Sequence, residues 1–520
     1  MNRFIKATTI LFILTILSKI IGFIRDMVLV SIYGASMTTD VYITSMRIPT
    51  TLFSIVTSAL ATTFIPKFYD IYNSKGKKES LNFTNNLINI TLILSIILGM
   101  VAFIFAAPLV KVFAINFTGE KLDLAIKFTR ILAFTILFLG INDILTCWLQ
   151  IKENYNIPIL MGIPYNIIII SSIVISSKWK VEVLAIGSFL AIMSKLIFQL
   201  IYAYKTGYRY KLYINLKDEN IKEIIILLMP VLIGVGVGQL NSIIDSSLAS
   251  TLGDGIITIL NSASKLDEIL SGLFITTIIS IMYPVFSKLS NDKESEEFII
   301  TIRRTINIII IIMIPIIVGV IILAVPIVRV LFERGKFDSN STILTAQAMR
   351  CYALGILAAG IGSVISRIFY SLKDTKTPMI NGTITIITNI VLNLIFIRYL
   401  GYIGLALATS LSYFVKLVLS FKKLKEKVNY FQQDLILKTF LKSFVAASIM
   451  GLVVCLTYNL LRAMLVLDTT ISVLILIIEG IIGGGIYTST ILKMNIEEVD
   501  TIFNKVKCRF IRLFKLNKCS

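Results

Sequence analysis

Apolar runs of ~18 or more residues recur from end to end of the chain, and each is long enough to cross a bilayer as a helix. The pattern predicts spans over roughly 7–33, 41–66, 82–110, 128–150, 157–177, 181–203, 223–250, 257–286, 299–331, 343–369, 378–397, 402–420, 437–463 and 470–492. The expected fold class is all-α, a polytopic membrane protein of about fourteen transmembrane helices. The segments between spans are too short for a large soluble domain. The first run follows Arg3 and Lys6 as a signal peptide would, but Ser18-Lys19 offers no small-residue cleavage site and the apolar pattern resumes to Tyr33. A retained first span is expected.

Composition agrees with this picture: 56% of the 520 residues are hydrophobic, and the mean hydropathy is +0.87. The net charge of +20 would raise the question of nucleic acid in a soluble protein. Here the cations collect in alternate loops, at Lys67, Lys75, Lys77 and Lys78, at Lys205, Arg209, Lys211 and Lys217, at Lys288, Lys293, Arg303 and Arg304, at Lys373 and Lys376, at Lys422 to Lys427, and in the tail from Lys505 to Lys518. The opposite loops hold few, apart from those near Lys111 to Lys127 and Arg329 to Lys336. That asymmetry sets orientation and predicts that both termini are cytoplasmic, with no nucleic-acid partner. Cys147, Cys351, Cys455, Cys508 and Cys519 form no CxxC pair, so neither a disulfide framework nor a metal knuckle is expected. The absence of histidine excludes imidazole chemistry.

The chain also repeats itself. Met46-Arg47-Ile48-Pro49 lines up with Ser264-Lys265-Leu266-Asp267, Ala107-Pro108-Leu109-Val110-Lys111-Val112 with Val325-Pro326-Ile327-Val328-Arg329-Val330, and Arg130, Gly140 and Pro158 with Arg350, Gly360 and Pro378. Each repeat holds an even number of spans, so the halves are parallel, with a substrate site expected between them. The last two spans lie outside the repeat.

Ionisable residues within spans are costly and by default face a water-filled cavity or pair with one another. The second span carries Asp40, Thr44, Arg47, Thr51, Ser54, Ser58 and Thr62 at steps of three and four, which places them on one helix face. The eighth span repeats the device with Thr258, Asn261, Lys265, Glu268, Gly272 and Thr276, and the first adds Ser18, Lys19, Gly22, Arg25 and Asp26. Each of these could instead pair with a neighbouring helix or snorkel to an interface. Taken together, Lys19, Arg25, Arg47 and Lys265 suit a pyrophosphate-like anion, whose water shell guanidinium and ammonium groups can replace. Asp245, Asn389, Asn393 and Thr409 form a second set. Their oxygens would suit Na+, and interhelical hydrogen bonding is the competing reading. Gly234-Val-Gly236-Val-Gly238 lies inside an apolar span with no preceding strand, so it reads as close helix packing rather than a nucleotide loop. Glu479, with Gly480 and Gly483 to Gly485, marks a bendable polar spot in the last span.

These residues resemble a known family. Ser18-Lys19-Ile20-Ile21-Gly22-Phe23-Ile24-Arg25-Asp26, followed by Gly34-Ala35 and Thr39-Asp40, looks like the opening of the MurJ (MviN) lipid II flippases. So do Leu331-Phe332-Glu333-Arg334-Gly335-Lys336-Phe337, the stretch Arg367-Ile368-Phe369-Tyr370-Ser371-Leu372-Lys373-Asp374-Thr375-Lys376-Thr377-Pro378, and Gly401-Tyr402-Ile403-Gly404-Leu405-Ala406. The resemblance implies the fold of the multidrug/oligosaccharidyl-lipid/polysaccharide exporter superfamily, with an N-lobe at 1–218, a C-lobe at 219–430, a lipid-tail groove at 431–495 and a basic cytoplasmic tail at 496–520. It implies transport of lipid II across the bacterial cytoplasmic membrane by alternating access, a role in peptidoglycan biosynthesis and no enzymatic activity. Lipid II and membrane lipids are the expected partners, the protein is expected to be a monomer, and Na+ is the one candidate cofactor. By motif position Lys19, Arg25, Asp26, Asp40 and Lys265 correspond to the family's cavity residues, and the Asp245, Asn389, Asn393 and Thr409 set resembles a sodium site seen in it. Many members carry an Arg-Arg pair and a Glu after the second-span proline, where this chain has Phe53-Ser54 and Thr57-Ser58.

Three other readings stay open on the sequence. A flippase for another undecaprenyl-linked glycan would use the same cavity. A multidrug exporter of cations would need an acidic cavity, and a membrane-embedded glycan polymerase or ligase would need a sizeable outward loop with acidic or nucleophilic groups.

Overall fold

The computed structural model describes residues 2–290, 292, 295–428, 431–464 and 468–500, with the side chains of 2–10, 12, 55–62, 225, 227–235 and 237 left out. Most of the expected basic tail therefore lies outside the described residues, as do Cys508, Cys519 and Lys293. Every regular element of the described chain is a helix, and none is a strand. Backbone groups in lipid have no water to bond, and helices satisfy them internally. Residues Met1–Thr258 with Arg334–Asp338 form one compact unit, and Ile259–Glu333 with Ser339–Ser520 form a second, each over its described part.

The first unit contains α1 (Asn2–Tyr33), α2 (Met37–Ile104), α3 (Ala106–Phe113), α4 (Gly119–Ala133), α5 (Ile136–Ile151), α6 (Asn156–Leu160), α7 (Gly162–Ser176), α8 (Val183–Lys205) and α9 (Glu219–Ala249). Helix α2 runs through Pro49 and Pro66 and breaks at Gly76, whose φ of 81° turns the chain between the second and third expected spans. Helices approach closely where small residues meet. A Cβ at Gly140 would lie 2.4 Å from Thr91 and 2.8 Å from the Phe53 ring, and one at Gly162 would lie 2.5 Å from the Ser18 hydroxyl. Such contacts matter because lipid tails are as apolar as leucine and supply little drive for helix association. One part of the core is aromatic. Phe64 stacks on Phe83 at 5.9 Å, while Phe68 and Tyr208 each meet the Trp148 ring at 5.6 Å.

The second unit contains α10 (Ile256–Leu270), whose first residues belong to the first unit, then α11 (Thr276–Leu289), α12 (Glu296–Ile322), α13 (Ala324–Phe332), α14 (Ser339–Ser371), α15 (Lys376–Leu400), α16 (Tyr402–Val428), α17 (Gln433–Met464) and α18 (Thr469–Leu492). A π-helical turn at Ser271–Ile275 joins α10 to α11 within one expected span. Ser410 donates to the Cys351 carbonyl at 2.6 Å and holds α16 against α14, while the Tyr487 hydroxyl donates to the Ile311 carbonyl at 2.8 Å and joins α18 to α12. Beyond α18, Glu497 accepts from Arg303 and Arg304, both at 2.6 Å, and Glu498 accepts from Asn307 at 2.9 Å.

Among the described residues ten helices are long and apolar enough to cross a membrane, or eleven if the bent pair α4 and α5 is one span. The other expected spans correspond to α1, the first arm of α2 and α9, which fall outside that count. The compact units and the sequence repeat divide the chain differently. The repeat places residues from 219 onward in the C-lobe, yet α9 packs on α2 and α3 and belongs with the first unit. Helices α17 and α18 pack on α12, α13 and each other and belong with the second. In the glycine stretch a Cβ at Gly236 or Gly238 would meet no described atom within 4 Å, and Gly234 is among the residues whose side chains are left out.

Candidate functional site

Helix α1 presents Lys19 exposed and Arg25 and Asp26 partly buried. The Arg25 guanidinium donates twice to Asp26 Oδ1, through Nε at 2.9 Å and Nη2 at 2.6 Å, and once to Asn166 Oδ1 at 3.4 Å. Its carbon lies 5.8 Å from the centroid of the Tyr165 ring. The sequence did not single out Lys195 on α8, whose ammonium stands over the other partner of this cluster, 3.9 Å from the same centroid. Tyr165 thus carries two cations. Arg25 has a carboxylate beside it, whereas Lys195 forms no salt bridge among the described residues. A ring quadrupole compensates an ammonium only partly. A lone lysine at the interior end of an apolar run carries no sequence signal beyond its charge.

Asp40, matched by motif position to a family cavity residue, lies in the first turn of α2. It is fully buried and bonds the start of α10. Oδ2 accepts the Gly255 amide at 2.7 Å, while Oδ1 accepts the Thr258 amide at 3.0 Å and the Thr258 hydroxyl at 2.8 Å. Lys121 approaches Oδ2 at 3.3 Å and also pairs with Asp254 at 2.6 Å. Asp40 therefore caps the amide end of α10, where unpaired N–H groups and the helix dipole favour an anion. These bonds fix where α10 begins. The rest of that α2 face is partly closed as well, since Thr44 and Thr51 are buried and Arg47 is half-buried. Phe53, at a position where many family members carry arginine, is buried in the core against Gly140.

In the second unit Lys265 pairs with Glu268 at 2.9 Å, one helical turn away and just ahead of the π turn. The cation-rich face expected from the sequence thus carries carboxylate partners at Arg25 and Lys265. Asn393 donates to Asn389 at 2.9 Å, Asn389 donates to Thr409 at 3.3 Å, and Thr409 donates to the Leu405 carbonyl at 3.0 Å. Within this unit the three side chains form one hydrogen-bonded relay across α15 and α16. Asp245, the charged member of the expected Na+ set, lies in the first unit and accepts from Asn241 at 3.2 Å. The relay fits Na+ in donor type, because it holds amide and hydroxyl oxygens; the asparagine oxygens would have to be turned to the ion. Glu479 is buried and accepts from Thr457 at 2.7 Å, so the expected polar spot in the last span is a bond between α17 and α18.

Helices long and apolar enough to cross a membrane, with charged residues set inside them, define the class: a multi-pass membrane protein. The model superposes on an inward-facing multidrug resistance MATE family transporter of the MOP superfamily with a TM-score of 0.63, covering 80% of this chain and 96% of that one at 16% identity, which establishes the fold. The family model described as Lipid II flippase MurJ matches residues 29–476, and the chain belongs to that family. A probable lipid II flippase MurJ of Vibrio cholerae is 30% identical over 442 residues, 81% of this chain and 83% of the relative. One from Buchnera aphidicola subsp. Baizongia pistaciae is 26% identical over 465 residues, 88% and 90% of the two chains. The solved structure of a lipid II flippase MurJ in an inward closed conformation aligns with a TM-score of 0.79 and 27% identity over 93% of this chain and 98% of that one.

Proposed function

We propose that this chain carries lipid II, the undecaprenyl-pyrophosphate-linked peptidoglycan precursor, from the cytoplasmic to the outer leaflet by alternating access. The observation that supports the reading most directly is family membership along 29–476 together with cations held inside membrane helices. In this reading Arg25, Lys265, Lys19 and Arg47 bind the pyrophosphate, Lys195 adds a cation on the Tyr165 ring, and Asp26 and Glu268 neutralise Arg25 and Lys265 when no substrate is present. An incoming dianion competes with those carboxylates. The exchange avoids leaving a bare charge at membrane depth, where it would cost several kcal/mol.

Alternating access needs places to bend. Pro49 and Pro66 in α2, Pro284 in α11 and the π turn at Ser271–Ile275 supply them, since each interrupts the regular hydrogen-bond ladder. The same proposal includes fourteen spans, cytoplasmic termini, a monomeric state, a lipid-tail groove over 431–495 and Na+ binding by Asp245, Asn389, Asn393 and Thr409. Depleting the protein in its host tests the function. Lipid II is expected to accumulate on the cytoplasmic side, and accumulation of a different lipid-linked glycan there would refute it.

A further inference from the structure

The connection between α8 and α9 is neither helix nor strand from Tyr208 to Asn215, and it is pinned in an unusual way. Every second carbonyl along it accepts an asparagine amide from the second arm of α2. Asn85 bonds the Arg209 carbonyl at 3.0 Å, Asn89 bonds those of Lys211 and Tyr213, both at 3.1 Å, and Asn86 bonds that of Asn215 at 2.9 Å. The asparagine oxygens are also used. Asn85 accepts from the Tyr208 hydroxyl at 2.8 Å, Asn89 from the Tyr210 hydroxyl at 2.7 Å, and Asn86 from the Asn215 amide at 2.8 Å. All three asparagines are buried.

The attachment points trace an arch. It starts at Asn85, reaches Asn89 at its crest and returns to Asn86. Asn89 stands seven positions beyond Asn82, where the third expected span begins, and at 1.5 Å per residue that is about 10 Å along the helix. Backbone this far from the span's start is tolerated in a membrane only when its polar groups are satisfied by protein, and the asparagine ladder does this for alternate carbonyls. On the outer side, Leu212, Ile214 and Leu216 fall at period two and are 79%, 48% and 66% exposed. Arg209, Lys211 and Lys217 are exposed on the same segment, and Lys205 just before it. Alternating apolar and basic residues on a supported arch match a boundary that is apolar below and anionic above.

We infer that residues 209–217 form a lipid-dipping arch, with Leu212, Ile214 and Leu216 seated at the acyl–headgroup boundary and Arg209, Lys211 and Lys217 on the headgroups of anionic phospholipid. The chemistry is that of bulk bilayer lipid, so the inference does not depend on which lipid-linked substrate is carried.

The test uses the full chain with its native cysteines replaced, carrying Leu212→Cys or Lys77→Cys labelled with a nitrobenzoxadiazole dye. The protein is placed in nanodiscs of phosphatidylcholine with or without phosphatidylglycerol. A nitroxide on the lipid near the headgroup should quench the dye at Leu212→Cys at least twofold more than the dye at Lys77→Cys, and iodide in the water should do the reverse. Phosphatidylglycerol should increase the lipid quenching, and Arg209→Gln with Lys211→Gln should abolish that increase. Asn89→Asp keeps the acceptor for Tyr210 and removes both donors to the arch, so it should shift the Leu212→Cys dye toward water without lowering the unfolding temperature to that of a misfolded chain. Equal quenching at the two positions would overturn the arch. Quenching unchanged by phosphatidylglycerol would overturn its anionic partner, and unchanged quenching in Asn89→Asp would overturn the role of the ladder.

Discussion

The ammonium of Lys195 lies 3.9 Å from the centroid of the Tyr165 ring and has no salt bridge among the described residues. Arg25 and Asp143 are the charges that act on it. Such a residue costs stability in an apolar segment, so Lys195→Met should unfold at the same or a higher temperature than the parent. If the charge serves the substrate, the same variant should lose complementation, with a binding loss of roughly 1.5–3 kcal/mol, as for a charged hydrogen bond. A lower unfolding temperature with full complementation would make Lys195 a packing residue.

Asp40 gives the opposite expectation. Removing its carboxylate strands the amides of Gly255 and Thr258 and leaves Lys121 with Asp254 alone. Asp40→Ala should lose about 3–5 kcal/mol, the cost of breaking one side of a buried charged cluster. Thr258→Val removes a single hydrogen bond and should lose about 1 kcal/mol. Thermal unfolding of purified protein and abundance in the membrane check both.

Arg25→Ala and Lys265→Ala should abolish complementation while the protein accumulates normally. In the proposed function each removes a charged hydrogen bond to the pyrophosphate, worth roughly 1.5–3 kcal/mol. The Lys265–Glu268 pair spans one turn and its carboxylate is largely exposed, so its own contribution to folding is about 0–1 kcal/mol. Lys265→Arg should keep function and Lys265→Glu should lose it. Normal growth of both alanine variants at parental abundance would remove these residues from the mechanism.

Na+ binding makes a separate prediction. An ion that binds only the folded chain stabilises it by mass action, so NaCl should raise the unfolding temperature of the parent above its value in KCl. Asp245→Ala and Asn393→Ala should each erase the difference. Identical parental curves in the two salts would end the Na+ reading.

Outside the spans, Asp374 links the start of α15 to the end of α16. Its carboxylate lies 2.6 Å from the Lys427 ammonium and accepts the Thr377 amide at 3.0 Å. Partial burial pushes the carboxyl up, but the bonds from Lys427 and Thr377 outweigh it and hold it at about 2, below its usual 3.8. A depressed carboxyl stabilises the fold above its unfolded pKa, and that contribution fades as pH falls through the folded one. Asp374→Asn should therefore cost about 1 kcal/mol at neutral pH. In pH-dependent unfolding, its gap from the parent should close between pH 3.8 and about 2.

The sequence by itself determined the class of fold, most of the span positions and which cations lie inside spans. Hydropathy and helical period are properties of consecutive residues, and Arg25, Arg47 and Lys265 stand out because charge is rare in such runs. Tertiary structure alone decided what those charges meet. The partners of Asp40 lie 215 and 218 positions along the chain, so nothing local distinguished a helix cap from a substrate contact. Lys195 drew no reading from the sequence, because its partner, the Tyr165 ring, is supplied by α7. Asn85, Asn86 and Asn89 drew no reading either, because they donate to backbone carbonyls, which have no sequence signature. The boundary of the compact units shifted for the same reason: α9 opens the second repeat in sequence, and its packing against α2 and α3 places it in the first unit.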